Sequence, residues 1–168
     1  MARSRCAGFL FALPMLMSVP SFATVIHVPG DYATIQAAID AAVVGDVVEV
    51  ACGTYQVPEI IMKSGIGLRS ATGQADCVVL EPAAGPNPRR LLRCVVDNTT
   101  EIRGITFRDG YDIDFSPIYI EGSPQITRCH FLSNIGRALP VQVSHDARLD
   151  ASACTIFGAA VVLQNSSA

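Results

Sequence analysis

The stretch Ile26–Tyr55, IHVPGDYATIQAAIDAAVVGDVVEVACGTY, decides the fold of this chain. It reads as a short extended run, a Pro-Gly turn, and a helix over Ala33–Ala42 that Asp31 introduces. Four apolar residues of this helix recur at positions i, i+3, i+4 and i+7 and form one face, namely Ile35, Ala38, Ile39 and Ala42. A helix with one apolar face is expected to lie over another element, because that face must be buried.

Strands are predicted to follow the helix in quick succession. Gly45 ends the helical pattern, and the β-branched run Val47–Val50 is typical of a mostly buried strand. A turn is expected at Gly53, and Pro82–Arg90 is expected to be an exposed loop. Further short apolar runs predict strands over Glu59–Met62, Ile66–Ser70, Cys77–Glu81 and Leu91–Val96.

Three later segments repeat one another without gaps. EIRGITFRDG, QITRCHFLSN and DASACTIFGA begin at Glu101, Gln125 and Asp150, which are 24 and then 25 residues apart. Each segment is followed by a second apolar run: PIYI, PVQV or AVVL. A period of this length with two strand-like segments per repeat indicates stacked coils, with one coil per repeat.

A leucine-rich repeat is the alternative for these segments. ITRCHFLSN fits the spacing L-xx-L-x-L-xx-N, and a 24-residue period falls in the range of that family. A leucine-rich repeat would continue into a helical segment with spaced leucines. Here the continuation is alternating and β-branched, which favours a β-helix.

The chain resembles right-handed parallel β-helix proteins of the pectin lyase-like superfamily. The likeness lies in VPGDYATIQAAIDAA, GDVVEVACGTY, IGLRS, EIRGITFRDG and ITRCHFLSN, and it is nearest to uncharacterised secreted β-helix repeat proteins. The resemblance implies an all-β fold, a right-handed parallel β-helix (solenoid) with a short N-terminal capping α-helix. Such a helix would cover the unpaired edge that the first coil otherwise exposes. The superfamily includes polysaccharide lyases, glycoside hydrolases, epimerases and adhesins, so the resemblance is not specific for an activity.

The first 23 residues have the layout of a secretory signal peptide. Arg3 and Arg5 precede the apolar run Cys6–Val19, and Ser21–Ala23 is a small-x-small cleavage site. Cleavage there would leave residues 24–168, with ten Lys and Arg against fifteen Asp and Glu and a net charge of −5. The predicted product is exported, extracellular or periplasmic, and monomeric, with no transmembrane anchor. An acidic chain without a basic run does not favour nucleic-acid binding.

The chain is also predicted to be the N-terminal part of a longer β-helix domain. Its last residues, LQNSSA, follow an apolar run without any element that would cover a final strand. Full-length β-helices are expected to cover such edges. On this interpretation, residues 24–168 are a domain that is truncated at its C-terminus.

Five cysteines remain after the predicted cleavage. Cys52 and Cys77 occupy polar turns at the ends of adjacent early coils and are predicted to form a disulfide, with two free thiols as the alternative. Cys129 and Cys154 occupy equivalent repeat positions. Stacked strands would hold their Cβ atoms about 4.8 Å apart, wider than a disulfide prefers. They are therefore predicted to be buried thiols, as is Cys94.

Candidate binding residues cluster in RDGYDIDFS, after the strand of one coil. Arg108, Asp109, Asp112 and Asp114 are the candidates for binding a glycan or Ca²⁺, since closely spaced carboxylates suit calcium and acid–base chemistry on sugars. An ordinary solvated loop is the alternative. The spacing lacks the further ligands of an EF-hand, so no metal or other cofactor is assigned.

Arginines also recur once or twice per coil, at Arg103, Arg108, Arg128 and Arg148. A ladder of guanidinium groups could bind carboxylates of a uronic-acid polymer. Arg103 and Arg128 are 25 residues apart where the apolar steps are 24, so they are not quite in register. Ordinary solvent-facing strand residues are the alternative for all four.

Two functions follow from these features. The first is a secreted β-helix module that presents an elongated surface to a polysaccharide or cell-surface polymer. The second is a polysaccharide lyase or glycoside hydrolase of the pectin lyase-like type, with its site on the outer face of the coils. No nucleotide-binding loop and no Ser-His-Asp arrangement is present in the sequence, which favours neither nucleotide chemistry nor serine hydrolysis.

Overall fold

The computed structural model describes residues 23–85, 90–136, 141–143, 154–157 and 161–163. The predicted signal peptide lies outside these residues apart from Ala23, as does Arg148. The chain winds through three five-stranded sheets, and every strand pair among the described residues is parallel. It is a β-solenoid of about five turns.

Each turn visits the three sheets in the same order, and we number the sheets I, II and III. Sheet I contains β1 (Val25–Val28), β2 (Val47–Val50), β5 (Gly67–Ser70), β8 (Glu101–Arg103) and β12 (Gln125–Thr127). Sheet II contains β3 (Gly53–Val57), β6 (Val78–Pro82), β9 (Ile105–Arg108), β13 (His130–Leu132) and β16 (Thr155–Phe157). Sheet III contains β4 (Ile60–Ile61), β7 (Leu92–Val96), β11 (Ile118–Gly122), β15 (Val141–Val143) and β17 (Val161–Leu163). A short pair, β10 (Tyr111–Asp112) and β14 (Ile135–Gly136), lies between sheets II and III.

The register confirms the sequence repeat. Ile102 lies beside Ile126, Phe107 beside Phe131, and Ile118 beside Val141. Buried and more exposed residues alternate along strands such as β2, β6 and β7, so like residues stack on like along the solenoid. The Phe107 and Phe131 rings stack with their centroids 5.4 Å apart. The repeats pass through three parallel sheets, which identifies them as turns of a β-solenoid rather than as leucine-rich repeats.

Helix α1 (Ile35–Ala41) lies between β1 and β2 and is shorter than the predicted Ala33–Ala42. Thr34 is its N-cap, with a side chain that accepts a hydrogen bond from the Ala37 N–H. All four residues of the predicted apolar face are buried. The Asp31 carboxylate instead closes the preceding turn by accepting from the His27 N–H at 2.7 Å.

The helix also bonds to the first strand of sheet III. The Gln36 side chain accepts from the Ile61 N–H at 2.8 Å and donates to the Ile61 carbonyl at 3.3 Å. The glutamine amide can both donate and accept a hydrogen bond. It therefore bonds to Ile61 as the peptide group of a neighbouring strand would. The Lys63 ammonium group donates to the Ala42 carbonyl at 2.8 Å, which satisfies a carbonyl at the helix C-terminus.

The sequence predicted two strands per repeat, and the structure has three. The segment EIRGITFRDG divides into β8 and β9 at Gly104, whose φ of +67° turns the chain from sheet I into sheet II. The apolar pattern continues across this corner, so periodicity alone did not reveal it. The predicted turn at Gly53 is likewise wrong, because Gly53 begins β3.

The disulfide prediction is confirmed for Cys52 and Cys77, which are bonded across adjacent turns with their Cα atoms 4.5 Å apart. Cys94, Cys129 and Cys154 form no disulfide, as predicted. Burial raises the pKa of the Cys94 thiol to about 12, so it is protonated and packs as an apolar group. Cys129 is buried, whereas Cys154 is partly exposed, which differs from the prediction.

Replacement of Gly104 by alanine should destabilise the solenoid by about 3 kcal/mol. A Cβ atom there would lie 2.5 Å from the Gly73 carbonyl carbon, and the positive φ adds a cost of its own. Chemical denaturation measures the change. Gly85→Ala is the matched control, because no atom lies within 4 Å of that site, and we expect a change within about 0.5 kcal/mol. Equal stability of the two variants would contradict the assigned corner.

Loss of the disulfide in a Cys52→Ser/Cys77→Ser variant should lower the free energy of unfolding by about 3 kcal/mol. The bond closes a loop of 25 residues and restricts the unfolded chain accordingly. Cys154→Ser is the control, since it replaces a cysteine outside the disulfide and leaves that bond intact. Alkylation of both Cys52 and Cys77 in the denatured, unreduced protein would show that the bond is absent.

Candidate functional site

A groove runs along the outer face of sheet III. Its volume is about 380 Å³, and we call it the arginine–aromatic groove after its lining residues Glu59, Arg90, Arg93, Phe115, Ser116, Tyr119 and Gln142. These residues come from the strands of sheet III and from the segments that lead into them. The groove therefore collects side chains from four successive turns.

Its floor is a ladder of three outward-facing residues. Arg93 on β7, Tyr119 on β11 and Gln142 on β15 are register partners, so each lies one strand spacing, about 4.8 Å, from the next. Their neighbours on either side along each strand point inward and are buried. The ladder follows from strand alternation in a closed solenoid, in which every second residue must face out.

Phe115 forms an apolar wall of the groove. Its side chain is 60% exposed, and the Arg90 guanidinium carbon lies 4.9 Å from the centre of the ring. A cation over an aromatic face holds both groups in place. Next to it, Ser116 is buried and its hydroxyl donates to the Gln142 side-chain oxygen at 3.4 Å. The wall and the floor are thereby linked.

Asp112 positions this wall from below. Its carboxylate is completely buried, forms an ion pair with Arg90, and accepts from the backbone N–H groups of Asp114 and Phe115 at 2.9 and 3.0 Å. Burial by itself raises the pKa of Asp112, but these hydrogen bonds and the Arg90 charge outweigh it, and the pKa is lowered. Asp112 thus holds Arg90 and Phe115 in one arrangement.

Two charged groups of the groove remain without an ion-pair partner within the described part of the chain. They are the Arg93 guanidinium and the Glu59 carboxylate. Arg90, by contrast, is neutralised by Asp112. The Tyr119 hydroxyl donates to a Glu121 carboxylate oxygen at 2.8 Å, which fixes the ring on the floor. The groove therefore offers one cation, one anion, two aromatic rings and an amide.

The predicted binding residues do not form one cluster. Arg108 pairs with Glu81, whose pKa this hydrogen bond lowers, and Asp109 lies 3.6 Å from the Arg108 Nε atom. Asp114 is exposed beside the groove wall. Among the described residues, no three His, Cys, Asp or Glu side chains are placed to hold a metal ion. Binding of a glycan or Ca²⁺ by these four residues stays a prediction.

The groove residues were missed because their signal lies in the register between turns. Tyr119 and Gln142 sit at the same place in PIYI and PVQV, so their stacking could be read from the repeats. Arg93 and Glu59 belong to earlier turns that the gap-free repeat did not include. Only the structure aligns these turns with the later ones, because the loop after β6 changes the spacing.

The fold defines the class of this protein as a parallel β-solenoid. No family model matches the sequence, and neither a curated protein nor a solved structure matches it. In the part of the chain that the structure describes, no helix is long and apolar enough to cross a bilayer.

The Asp112→Asn variant should be less stable than the natural chain at pH 7, by about 2 kcal/mol, because it loses hydrogen bonds to a charged acceptor. The folded-state pKa is lowered relative to the unfolded value of about 3.9. At pH values above the unfolded pKa, the Asp112 carboxylate therefore contributes its full stabilisation to the folded state. This stabilisation is lost as the pH falls through the folded-state pKa. Denaturation measured between pH 7 and pH 2 should show that the free energy of unfolding falls less on acidification in Asp112→Asn than in the natural chain.

Asp114→Asn is the matched control for this experiment, because Asp114 is two residues away and exposed. It should keep both the stability at pH 7 and the acid profile of the natural chain. An acid profile in Asp112→Asn that matches the natural chain would contradict the role assigned to the buried carboxylate.

Proposed function

We propose that this protein is an exported glycan-binding module, and that the arginine–aromatic groove binds the polysaccharide. The observation that carries the proposal is the ladder of Arg93, Tyr119 and Gln142 beneath the exposed Phe115 ring. Sugar rings present apolar faces and hydroxyl edges. Aromatic side chains can pack on the faces, while amide, guanidinium and carboxylate groups bind the edges.

The dimensions of the groove support an extended chain rather than a small molecule. The ladder repeats at the strand spacing of about 4.8 Å, close to the repeat of successive rings in an extended polysaccharide. The groove is open along the solenoid and is built on paired strands, whose rigidity lowers the entropic cost of binding. Arg93 and Glu59 form no ion pair with any other described residue, so they remain available to hydroxyl groups.

The proposal includes finer features of the fold. We infer that the solenoid is right-handed, because crossovers between parallel strands of one sheet are right-handed in nearly all proteins. We also infer that α1 caps the first turn, since its apolar face is buried and Gln36 bonds to the edge strand β4. Both features agree with membership of the pectin lyase-like superfamily, and the N-terminal sequence pattern supports export.

A polysaccharide lyase or glycoside hydrolase is the second candidate function. The half-buried carboxylate of Glu59 lines the same groove as the Arg93 guanidinium and the Tyr119 ring. A carboxylate, a guanidinium group and a phenol in one groove could act as the general acid and base in the cleavage of a sugar polymer. Release of soluble oligosaccharides from a bound polymer would identify this function, and intact polymer would support the binding module.

The test is binding of the full chain to immobilised polysaccharides, both acidic (polygalacturonate, alginate) and neutral (galactan, xylan). Phe115→Ala should weaken binding about tenfold, because it removes an exposed ring that would contact the sugar. Phe157→Ala is the matched control: Phe157 is 69% exposed but lies on sheet II, outside the groove. An equal loss of affinity in Phe115→Ala and Phe157→Ala would overturn the proposal, and so would the absence of binding to any of the four polymers.

A further inference from the structure

Two cysteines lie one above the other in successive turns, where the chain enters sheet II. Cys129 directly precedes β13 and Cys154 directly precedes β16, and the first residues of these strands, His130 and Thr155, are register partners. The two cysteines are therefore one strand spacing, about 4.8 Å, apart along the solenoid. We call them the stacked cysteine pair. Neither forms a disulfide with another described residue.

The sulfur atoms of the pair occupy equivalent places in the two turns. The Cys129 sulfur lies 3.7 Å from the Ile102 carbonyl oxygen, and the Cys154 sulfur lies 3.6 Å from that of Ile126, the register partner of Ile102. The Cys154 sulfur also accepts a hydrogen bond from the Cys129 N–H at 3.3 Å, so it points back toward Cys129. Contact with the Cys154 thiol, together with burial, raises the pKa of the Cys129 thiol.

The first two turns contain a bonded pair of cysteines in the same relationship. Cys52 and Cys77 directly precede Gly53 and Val78, which are also register partners, and their Cα atoms are 4.5 Å apart. This Cα separation lies within the range of ordinary disulfides. The spacing of stacked strands therefore permits a disulfide between successive turns of this solenoid, although the sequence alone argued against one in the stacked cysteine pair.

The two thiols of the pair differ in exposure, and this difference provides a route for an oxidant. Cys154 is half-buried, so a small disulfide compound can reach its sulfur, whereas Cys129 is buried next to it. Cys94 lies on β7 in sheet III, is fully buried, and has a pKa raised to about 12 by burial. Cys94 is therefore poorly placed to compete for the oxidant.

We infer that the stacked cysteine pair is a modification site, which a disulfide oxidant such as oxidised glutathione converts into a second disulfide. The Cys154 thiolate attacks the oxidant, forms a mixed disulfide with one glutathionyl group and releases the other as a thiolate. The Cys129 thiolate then attacks the Cys154 sulfur, forms the bond between the turns and releases the second glutathione. Two protein thiols are oxidised, one glutathione disulfide is reduced to two glutathione molecules, and the two protons pass to them through solvent.

The second disulfide would join the fourth turn, which contains β13, to the fifth turn, which contains β16. Cys129 and Cys154 are 25 residues apart, the same separation as Cys52 and Cys77, so the bond should restrict the unfolded chain to the same extent. The inference goes beyond the proposed function and stands without it, because neither residue of the stacked cysteine pair lines the arginine–aromatic groove.

The experiment treats the folded full chain with oxidised glutathione and then alkylates the remaining thiols in denaturant without reductant. Trypsin places Cys129 in the peptide 129–137 and Cys154 in the peptide 149–168, so each peptide contains one cysteine. We expect mass spectrometry to find the two peptides linked, and separate after reduction. Three results would each overturn the inference: alkylation of both cysteines, a glutathione adduct on Cys154 that does not proceed to the link, or a link from either cysteine to Cys94.

Thermal unfolding gives a second readout. Oxidation should raise the Tm by about 5–10 °C, as expected for a disulfide that closes a loop of this length. Cys129→Ser and Cys154→Ser each lack one partner, so the oxidant should leave their Tm unchanged. The half-buried Cys154 keeps the test available if replacement of the buried Cys129 impairs folding.

Cys94→Ala is the matched control, because it replaces a cysteine outside the stacked cysteine pair. This variant should form the same linked peptides and show the same rise in Tm as the natural chain. An oxidant-dependent rise in Tm that persists in Cys154→Ser would place the effect elsewhere and contradict the assignment.

Discussion

The structure depends on the parallel hydrogen bonding of each turn to the next. A strand in this solenoid satisfies its N–H and C=O groups only through the turns above and below it, because the described repeat has no helix. This requirement holds every turn in register with its neighbours. Residues at one place in the turn must then resemble each other: Phe107 stacks on Phe131, and Ile102 lies beside Ile126.

The same constraint creates the arginine–aromatic groove. Stacking that aligns apolar residues inside also aligns polar residues outside, at a constant spacing of about 4.8 Å. Arg93, Tyr119 and Gln142 are far apart in the sequence and become a single row. At the corners, where the chain changes sheets, longer segments add walls to these rows. Phe115 is such an addition, and the buried Asp112 holds it in place.

Charge pairing separates the structural ionic groups from those available to a ligand. Arg108 with Glu81, and Arg90 with Asp112, are pairs within the protein, and each lowers the pKa of its carboxylate. Sequence reasoning placed Asp112 among the binding residues because it occurs in an acidic loop. The structure uses it as an internal support, since its side chain is buried while Ile113 and Asp114, which follow it, are exposed.

The sequence by itself determined the β-solenoid, the register of the later repeats, the buried face of α1 and the Cys52–Cys77 disulfide. These follow from local patterns, because apolar periodicity and repeat length act through neighbours in the chain or in the next turn. The corner at Gly104 and the arginine–aromatic groove were decided only by the tertiary structure. They depend on which outward side chains come into contact across turns of unequal length. A sequence repeat cannot predict those contacts.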